Sequence, residues 1–412
     1  MSDRASERLH YRLWALVPLL FLCVTVIPCH TQNRDVLCSK GGGKFEAEFH
    51  TGVKLRVGAA RNAEGGLATR ACDATLSWDR QELVVATKAA ELDVDVFGAD
   101  LGVGMPVVAL QVKESDAECC MAYEIYSLQK PPRLLRTITG GDFFSASDRD
   151  LDGRVEIWTA DAAAVDGFEH LALSELDLAP TVVLRFDRSR LVDVSSEFQP
   201  YFDQQITKLR AELNPQDLHD FKNSDGKLTS TSSLPVQELH RLRVVKIKVI
   251  EVVRAYLYSD REPEAWRSLT EMWPASDVER IRGAILNARA HGIHAQVDAT
   301  SSGAPAGRKK RAVVFDTISQ SRGSKPEVIP AQAIQLRRPA PSASEQSLPD
   351  SELLFNLLID SAGKVRSVEP AGSTKSPDAD LIRAAMEWTF IPALKDGRAV
   401  ASRLRLAVST KR

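Results

Sequence analysis

Leu353-Leu354-Phe355-Asn356-Leu357-Leu358-Ile359 is a short apolar run near the end of this 412-residue chain. Asp360-Ser361-Ala362-Gly363 follows it, so the run predicts a buried strand that enters a turn. Lys364–Glu369 then returns as a second, more polar strand. We expect these two strands to begin a small terminal domain at residues 350–412.

The rest of this domain alternates between helical and strand patterns. Ser376-Pro377-Asp378 predicts a helix start, because Ser can cap free N–H groups and Pro is tolerated at the first helical position. The helix's expected apolar face consists of Leu381, Ala384, Ala385 and Trp388. Pro392 is expected to stop the helix, and Asp396-Gly397 to form a turn.

Arg403–Val408 predicts the last strand of the domain. Leu404, Leu406 and Val408 would lie on one face, with Arg403 and Arg405 on the other. The predicted order is therefore strand, strand, helix, strand.

This pattern resembles the C-terminal domain of the TonB family of periplasmic energy transducers, over residues 350–412 only. The signature residues are Trp388, Phe390, Pro392, Asp396 and Gly397. The resemblance implies a final strand that pairs with the edge of a partner protein. Its candidate partner-binding residues are Arg403, Leu404, Arg405, Leu406 and Val408. The Tyr-Pro element that usually precedes the first strand in that family is absent.

The N-terminus carries three arginines followed by the almost wholly apolar segment Leu13–Pro28. This predicts a signal peptide or a membrane anchor at residues 1–30, with the remainder on the periplasmic side of the cell envelope. Cleavage and retention both stay open. No Ala-x-Ala site follows, and Val26-Ile27-Pro28-Cys29 is a poor lipoprotein box.

Six cysteines suit an exported protein. Cys23 and Cys29 belong to the targeting segment, which leaves Cys38, Cys72, Cys119 and Cys120. Four cysteines allow three connectivities. We favour Cys38–Cys72, with Cys119-Cys120 either a vicinal pair or free.

Residues 35–197 read as a β-rich domain, either a sandwich or a few propeller blades, because short strand patterns alternate with Gly, Pro and Asp. Glu91–Phe97 alternates strictly, which predicts one acidic, wet face and one packed face.

One motif in this domain has the chemistry of a cation site. Aspartates occupy positions 1, 3 and 5 of a loop and a glycine follows, which is typical of Ca²⁺ ligands. The loop resembles that of FG-GAP and related β-propeller repeats, in which a later acid or a carbonyl completes the ligand shell. The candidate ligands are Asp148, Asp150, Asp152, Glu156 and the Arg154 carbonyl. A plain Asp-rich turn is the alternative.

Residues 198–297 predict a helical module, with helices at 201–213, 237–258, 263–272 and 276–290. Ser276 and Glu279 match a capping box at the start of the last helix. His291 and His294 near its end lack a third ligand, so we interpret them as solvated residues.

Residues 298–349 are rich in Ser, Ala, Pro and basic residues, which predicts a flexible linker with one short strand at Ala312–Ile318. The basic run Arg308-Lys309-Lys310-Arg311 is interpreted as part of this tether. About 50 residues at ~3.1 Å each would reach roughly 150 Å.

The sequence therefore predicts a multidomain α+β protein that is exported and is not an enzyme. Its predicted role is that of a protein-binding scaffold or an energy-transducer-like coupling protein, with Ca²⁺ as a structural cofactor. The partner would be an envelope protein, such as an outer-membrane receptor or an inner-membrane motor complex. Retention of the N-terminal segment would add membrane association. The net charge of −2 argues against a nucleic-acid partner.

Two other functions remain open. One is a secreted, Ca²⁺-dependent module that binds sugar or protein. The other is an enzyme, such as a hydrolase, that uses Asp93, Asp95 or Asp148. No catalytic residue is assigned. A Gly-x-Ser-x-Gly elbow is missing, and Gly41-Gly42-Gly43-Lys44 lacks the other residues of a phosphate loop.

Overall fold

The computed structural model describes residues 36–61, 67–115, 119–170, 179–229, 234–301, 312–318, 328–336, 352–371 and 379–409. The predicted targeting segment, the basic run at 308–311 and Ser376-Pro377-Asp378 lie outside these residues. The mixed α+β class is confirmed, with 29% helix and 41% strand. No helix within the described ranges is long and apolar enough to cross a membrane.

The first half of the compact unit Val36–Arg412 is built from strands. Their bounds are β1 Cys38–Ser39, β2 Phe45–Glu48, β3 Lys54–Arg61, β4 Leu67–Trp78, β5 Gln81–Ala89, β6 Glu91–Ala99, β7 Val107–Lys113, β8 Met121–Ser127, β9 Leu134–Gly141, β10 Ser145–Ser147, β11 Glu156–Ala160, β12 Thr181–Asp187 and β13 Arg190–Asp193. They form three sheets. The first sheet has the order β1-β6-β7-β8-β9 and the second has the order β2-β3-β4-β5. The third has the order β10-β11-β12-β13 and ends on β14, Ala299–Thr300.

The first and second sheets share an apolar core. Leu55 and Leu76 of the second sheet belong to the same buried cluster as Phe97 and Leu110 of the first. The predicted disulfide is confirmed, because Cys38 of the first sheet is bonded to Cys72 of the second. Cys119 and Cys120 form a vicinal disulfide, one of the two states left open.

The opposite face of the first sheet is also covered. Val96, Ala109 and Tyr123 lie in one cluster with Ile157 of the third sheet and Val249 of the helical region. The predicted β-rich domain and helical module therefore share a core.

The predicted wet, acidic face of Glu91–Phe97 is present only in part, because Glu91 and Asp93 are partly exposed and Asp95 is buried. Asp95 was expected to face solvent, yet it is only 2% exposed. It lies where the pairing of β6 with β7 shifts register, between Val94 and Val96. From Asp95 onward both faces of the strand are packed, so the alternation leaves no wet side there.

Five helices follow the sheets: α1 Gln199–Ala211, α2 Pro215–Lys222, α3 Val236–Tyr258, α4 Glu262–Met272 and α5 Val278–His291. Short 3₁₀ helices lie at Phe168–His170, Ser195–Phe198 and Ile293–Gln296. The sequence interpretation missed α2, although Asn214-Pro215 is a recognisable start. The Asn214 side chain accepts hydrogen bonds from the N–H groups of Gln216 and Asp217. The predicted capping box is wrong, because α5 begins after Asp277 with no side-chain cap.

The terminal domain is larger than predicted. Its elements are β15 Val314–Asp316, β16 Val328–Ile329, β17 Gln332–Gln335, β18 Glu352–Ile359, β19 Val365–Pro370, α6 Ala379–Met386, β20 Thr389–Ile391, β21 Ala393–Lys395 and β22 Arg398–Ser409. The main sheet has the order β16-β21-β22-β18-β19, and β15 pairs with β22. A separate ribbon joins β17 to β20.

Three of these strands come from the segment predicted as a free tether. β15 is the short strand expected at 312–318, and it runs parallel to β22. β16 pairs with β21, and Val328 is 2% exposed. These described parts of the linker belong to the terminal domain, because their short apolar stretches fill its sheet and core.

The helix of this domain also differs from expectation. α6 ends at Met386, so Trp388 lies beyond the helix and Pro392 does not stop it. Trp388 is nevertheless buried, and its ring meets Phe355 edge-on with centroids 6.2 Å apart. The hairpin between β21 and β22 turns on Asp396-Gly397, as predicted, and both residues have positive φ.

Gly363 and Gly397 provide a matched pair for testing this domain. Both have positive φ, but a Cβ on Gly363 would lie 2.0 Å from the Phe390 carbonyl oxygen, whereas a Cβ on Gly397 would meet nothing within 4 Å. We expect Gly363→Ala to lower the unfolding free energy of the terminal sheet by about 3 kcal/mol or more. Gly397→Ala should cost only about 1 kcal/mol. Native-state hydrogen exchange of β18 and β22 measures both, and equal losses would contradict this packing.

Candidate functional site

The predicted cation loop closes the hairpin between β10 and β11. One ligand oxygen from each of Asp148, Asp150 and Asp152 lies within 4.8 Å of the others. In the described part of the chain, this is the one group of three or more His, Cys, Asp or Glu residues so arranged. Asp148 is fully buried, and Asp150 is exposed.

Hydrogen bonds within the loop fix its shape. The Asp148 carboxylate accepts the N–H groups of Asp152 and Gly153, each at 3.0 Å. Asp152 accepts the N–H of Arg154 at 2.8 Å. These bonds are equally consistent with a plain Asp turn, so they do not by themselves distinguish the two interpretations.

Glu156 follows the loop and lies outside the group of three aspartates. It begins β11 opposite Ser147 and is 3% exposed. Its Oε1 lies 3.6 Å from Arg185, but that guanidinium makes two shorter bonds, of 2.7 and 2.9 Å, to Glu197. Among the described residues, Glu156 Oε2 has no hydrogen-bond partner. Burial, followed by the charge of Asp150, raises the pKa of Glu156 to about 8.

A hard cation fits this arrangement. A buried carboxylate oxygen without a partner is costly, and a divalent ion beside three aspartates would satisfy it. Asp148, Asp150 and Asp152 would hold Ca²⁺, with Glu156 beside them as the candidate fourth ligand. The Arg154 side chain is exposed and lies 3.9 Å from Asp152, so its backbone is the part of it that could contribute.

The terminal domain contacts this loop directly through the turn after β18. The Asp148 N–H donates to Asp360 at 3.1 Å, and the Ser361 hydroxyl donates to the Asp148 carboxylate at 2.8 Å. Asp360 also accepts the N–H groups of Ala362 and Lys364, both at 2.9 Å. Burial raises the pKa of Asp360 to about 6. One aspartate therefore belongs both to the loop and to the contact with the terminal domain.

A second contact lies beside the first. The Lys364 ammonium is 2.8 Å from Asp95 Oδ1 and also donates to the Asp95 carbonyl oxygen. The other Asp95 oxygen accepts the Tyr123 hydroxyl at 2.6 Å and the Ala146 N–H at 2.7 Å. Asp95 is therefore fully engaged in holding the terminal turn.

The sequence interpretation missed the roles of Asp360, Ser361 and Lys364. Between 212 and 269 residues separate them from the groups they bind, so no local pattern could have indicated these contacts. The sequence identified Asp360 and Ser361 only as part of a turn, and Lys364 only as the start of a strand. Two carboxylates considered for an enzyme have partners within the protein, since Asp93 accepts the Leu37 N–H and Asp95 binds Lys364.

The predicted partner-binding strand lies inside the terminal sheet. Residues 402–409 of β22 pair with β18 on one side. On the other side, residues 398–400 pair with β21 and residues 401–403 pair with β15. No strand within the described ranges pairs with that side beyond Arg403. Arg403 and Arg405 are exposed, whereas Leu404 and Leu406 are partly buried and Val408 is buried.

The two histidines have separate contacts. His291 Nδ1 lies 2.7 Å from the Asn287 carbonyl oxygen, and His294 Nδ1 lies 3.7 Å from Asp193. They do not come together as a metal site.

The Lys364–Asp95 pair should be energetically coupled. We expect Lys364→Met to lower the unfolding free energy of the terminal sheet by about 3 kcal/mol, because it removes one partner of a buried pair. The double variant with Asp95→Asn should cost less than the sum of the two single variants, by about 1–3 kcal/mol. Native-state hydrogen exchange measures each value, with exposed Arg398→Met as the cation control. Strict additivity would mean that the pair does not hold the domain.

Comparison with protein-family models, with curated proteins and with solved structures returned no match to this chain. The structural features that bear on function are therefore the acidic loop, the docked turn and the open side of β22, which is the side left unpaired beyond Arg403 in the described sheet.

Proposed function

We propose that this protein is an exported, non-enzymatic protein of the cell envelope whose TonB-like terminal domain binds a partner protein. The partner would contribute an extended segment to the open side of β22 at Arg403–Val408. The single observation that supports this is the unpaired strand side beyond Arg403 in the described part of the sheet. Unpaired N–H and C=O groups are a template for another strand.

The geometry of Arg403 identifies which groups face that side. Its carbonyl oxygen accepts the N–H and the hydroxyl of Thr317, which follows β15. Backbone direction alternates along a strand, so Arg405 and Ala407 also face outward, while Leu404 and Leu406 face β18. An added strand would continue the line begun by β15.

Charge favours an acidic partner segment. Arg403 and Arg405 are exposed beside the open side. Arg405 Nε donates to Asn356 on the neighbouring strand at 3.0 Å, which keeps the side chain above the sheet. Complementary charge guides encounter and fixes register more than it adds affinity.

The docked position of the domain supports a scaffold over a freely searching transducer. The turn after β18 binds Asp95 and Asp148, and Ile391 of β20 lies in the core between the first and second sheets. A domain held in this way presents its open strand at a defined place. We therefore propose a periplasmic scaffold that binds an envelope protein.

Two proline variants test the strand addition. Ala407→Pro removes an N–H that faces the open side, so the fold should tolerate it while binding of an added strand is lost. Leu406→Pro removes an N–H that faces β18 and should lower the unfolding free energy by about 3 kcal/mol. The binding measurement is cross-linking in intact cells from a photoreactive residue at position 405.

We expect a cross-linked envelope protein with the otherwise unchanged chain, and none with Ala407→Pro. An unchanged cross-link would contradict strand addition at this side. Circular dichroism and thermal unfolding of the Ala407→Pro variant provide the folding control.

Localisation is tested by fractionating natively expressed protein and determining its N-terminus by mass spectrometry. We expect the chain on the periplasmic side of the envelope. An intact N-terminus in the inner-membrane fraction would favour an anchored scaffold, whereas a mature N-terminus beyond about Cys29 would exclude energy coupling through an anchor. Recovery of the chain with cytoplasmic markers would contradict export.

A further inference from the structure

The acidic loop and the terminal turn share a residue, and this couples two parts of the molecule. Asp148 offers its carboxylate to the loop and to the Ser361 hydroxyl, and its N–H to Asp360. The loop has a further tie, because the Val313 N–H, just before β15, donates to the Leu151 carbonyl oxygen. Movement of the loop would therefore disturb both the terminal turn and the start of β15.

Negative charge converges at this contact. Three loop carboxylates and Glu156 interact electrostatically with one another, and the Asp360 carboxylate accepts the Asp148 N–H. The acids of the group are Asp148, Asp150, Asp152, Glu156 and Asp360. Repulsion between Asp148 and Asp360 opposes docking of the turn, and burial of both carboxylates reduces its screening by solvent.

The nearby cations compensate this charge only in part. Exposed Arg154 lies 3.9 Å from Asp152, and Arg185 lies 3.6 Å from Glu156. Arg366 also interacts electrostatically with Asp360. Arg185 makes its short bonds to Glu197, and Lys364 binds Asp95. The Arg149 guanidinium lies over the Trp158 ring, 3.6 Å from its centroid. Glu156 is only 3% exposed, and its Oε2 has no hydrogen-bond partner among the described residues. This orphaned oxygen, and not the acidity of the loop alone, points to a bound cation.

We propose that a divalent cation of the Ca²⁺ type, held by Asp148, Asp150, Asp152 and Glu156, locks the terminal domain onto the β sheets through Ser361 and Asp360. The cation neutralises the charge that opposes docking, and it fixes the Asp148 carboxylate in the orientation that accepts the Ser361 hydroxyl. The site is thus a cation-dependent clasp between the two halves of the chain, a property separate from the binding of a partner at β22.

Thermodynamic linkage makes the clasp testable in both directions. If the cation favours the docked turn, the docked turn must favour the cation by the same factor. Removing the Ser361 hydroxyl should therefore weaken Ca²⁺ binding, although Ser361 is not a ligand.

The experiment uses the full-length chain with Ca²⁺ alone, compared with excess chelator. The readout is hydrogen exchange at the amides of Ala362, Gly363 and Lys364, all of which bond to Asp360. We expect Ca²⁺ to slow their exchange by about 10-fold or more, within the usual range of coupling between sites. Amides of the distant helix α4 serve as the reference and should not change.

Two variants separate binding from locking. Asp150→Asn alters an exposed ligand that makes no direct bond to the turn, and it should abolish both Ca²⁺ binding in calorimetry and the Ca²⁺-dependent slowing of exchange. Ser361→Ala keeps every proposed ligand. We expect it to weaken Ca²⁺ binding by about the same factor by which it reduces the Ca²⁺-dependent slowing of exchange. Circular dichroism confirms the fold of each variant.

The clasp is overturned if Ca²⁺ does not bind, or if Ca²⁺ binds and exchange at the turn is unchanged. It is also overturned if Ser361→Ala leaves Ca²⁺ affinity unaltered while the Ca²⁺-dependent slowing is lost. No partner protein is present in this experiment, so its outcome is independent of the proposed function.

Discussion

The first sheet is buried on both faces, and this constraint shapes the rest of the molecule. One face packs on the second sheet, and the other packs on the third sheet and the helices. A polar group on such a sheet must find a partner inside the protein. Asp95 does so with Tyr123, with the Ala146 N–H and with Lys364 of the terminal domain. Satisfying one buried carboxylate thus ties distant parts of the chain together.

The acidic loop differs from Asp95, because its carboxylates outnumber the positive groups that could pair with them. Asp148 is satisfied by backbone N–H groups and by Ser361, whereas Glu156 retains an oxygen without a partner in the described residues. A hydrogen-bonded Asp turn accounts for the first residue but not for the second. The proposed cation would satisfy both, and it would also give the contact with the terminal domain a physical reason.

Docking changes how the terminal domain would work. A domain on a free tether finds its partner by diffusion, and its reach depends on linker length. Here the short strands β15, β16 and β17, which come from the predicted linker, complete the domain's own sheets. Together with the docked turn they hold β22 in place, with one side paired by β18. A fixed open strand is compatible with the proposed scaffold, to which the partner would come.

The sequence by itself determined the local features. Apolar runs marked β18 and β22, Asp396-Gly397 marked a two-residue hairpin, and the pairing of Cys38 with Cys72 was among the few that were possible. Side-chain periodicity and turn chemistry are properties of neighbouring residues, and the possible disulfide pairings follow from the number of cysteines. Only the tertiary structure decided that Asp95 is buried, that linker strands join the terminal sheet, and that Ser361 and Lys364 reach carboxylates more than 200 residues away. Burial and long-range pairing depend on which surfaces meet in the folded chain, and a local stretch of sequence does not contain that information.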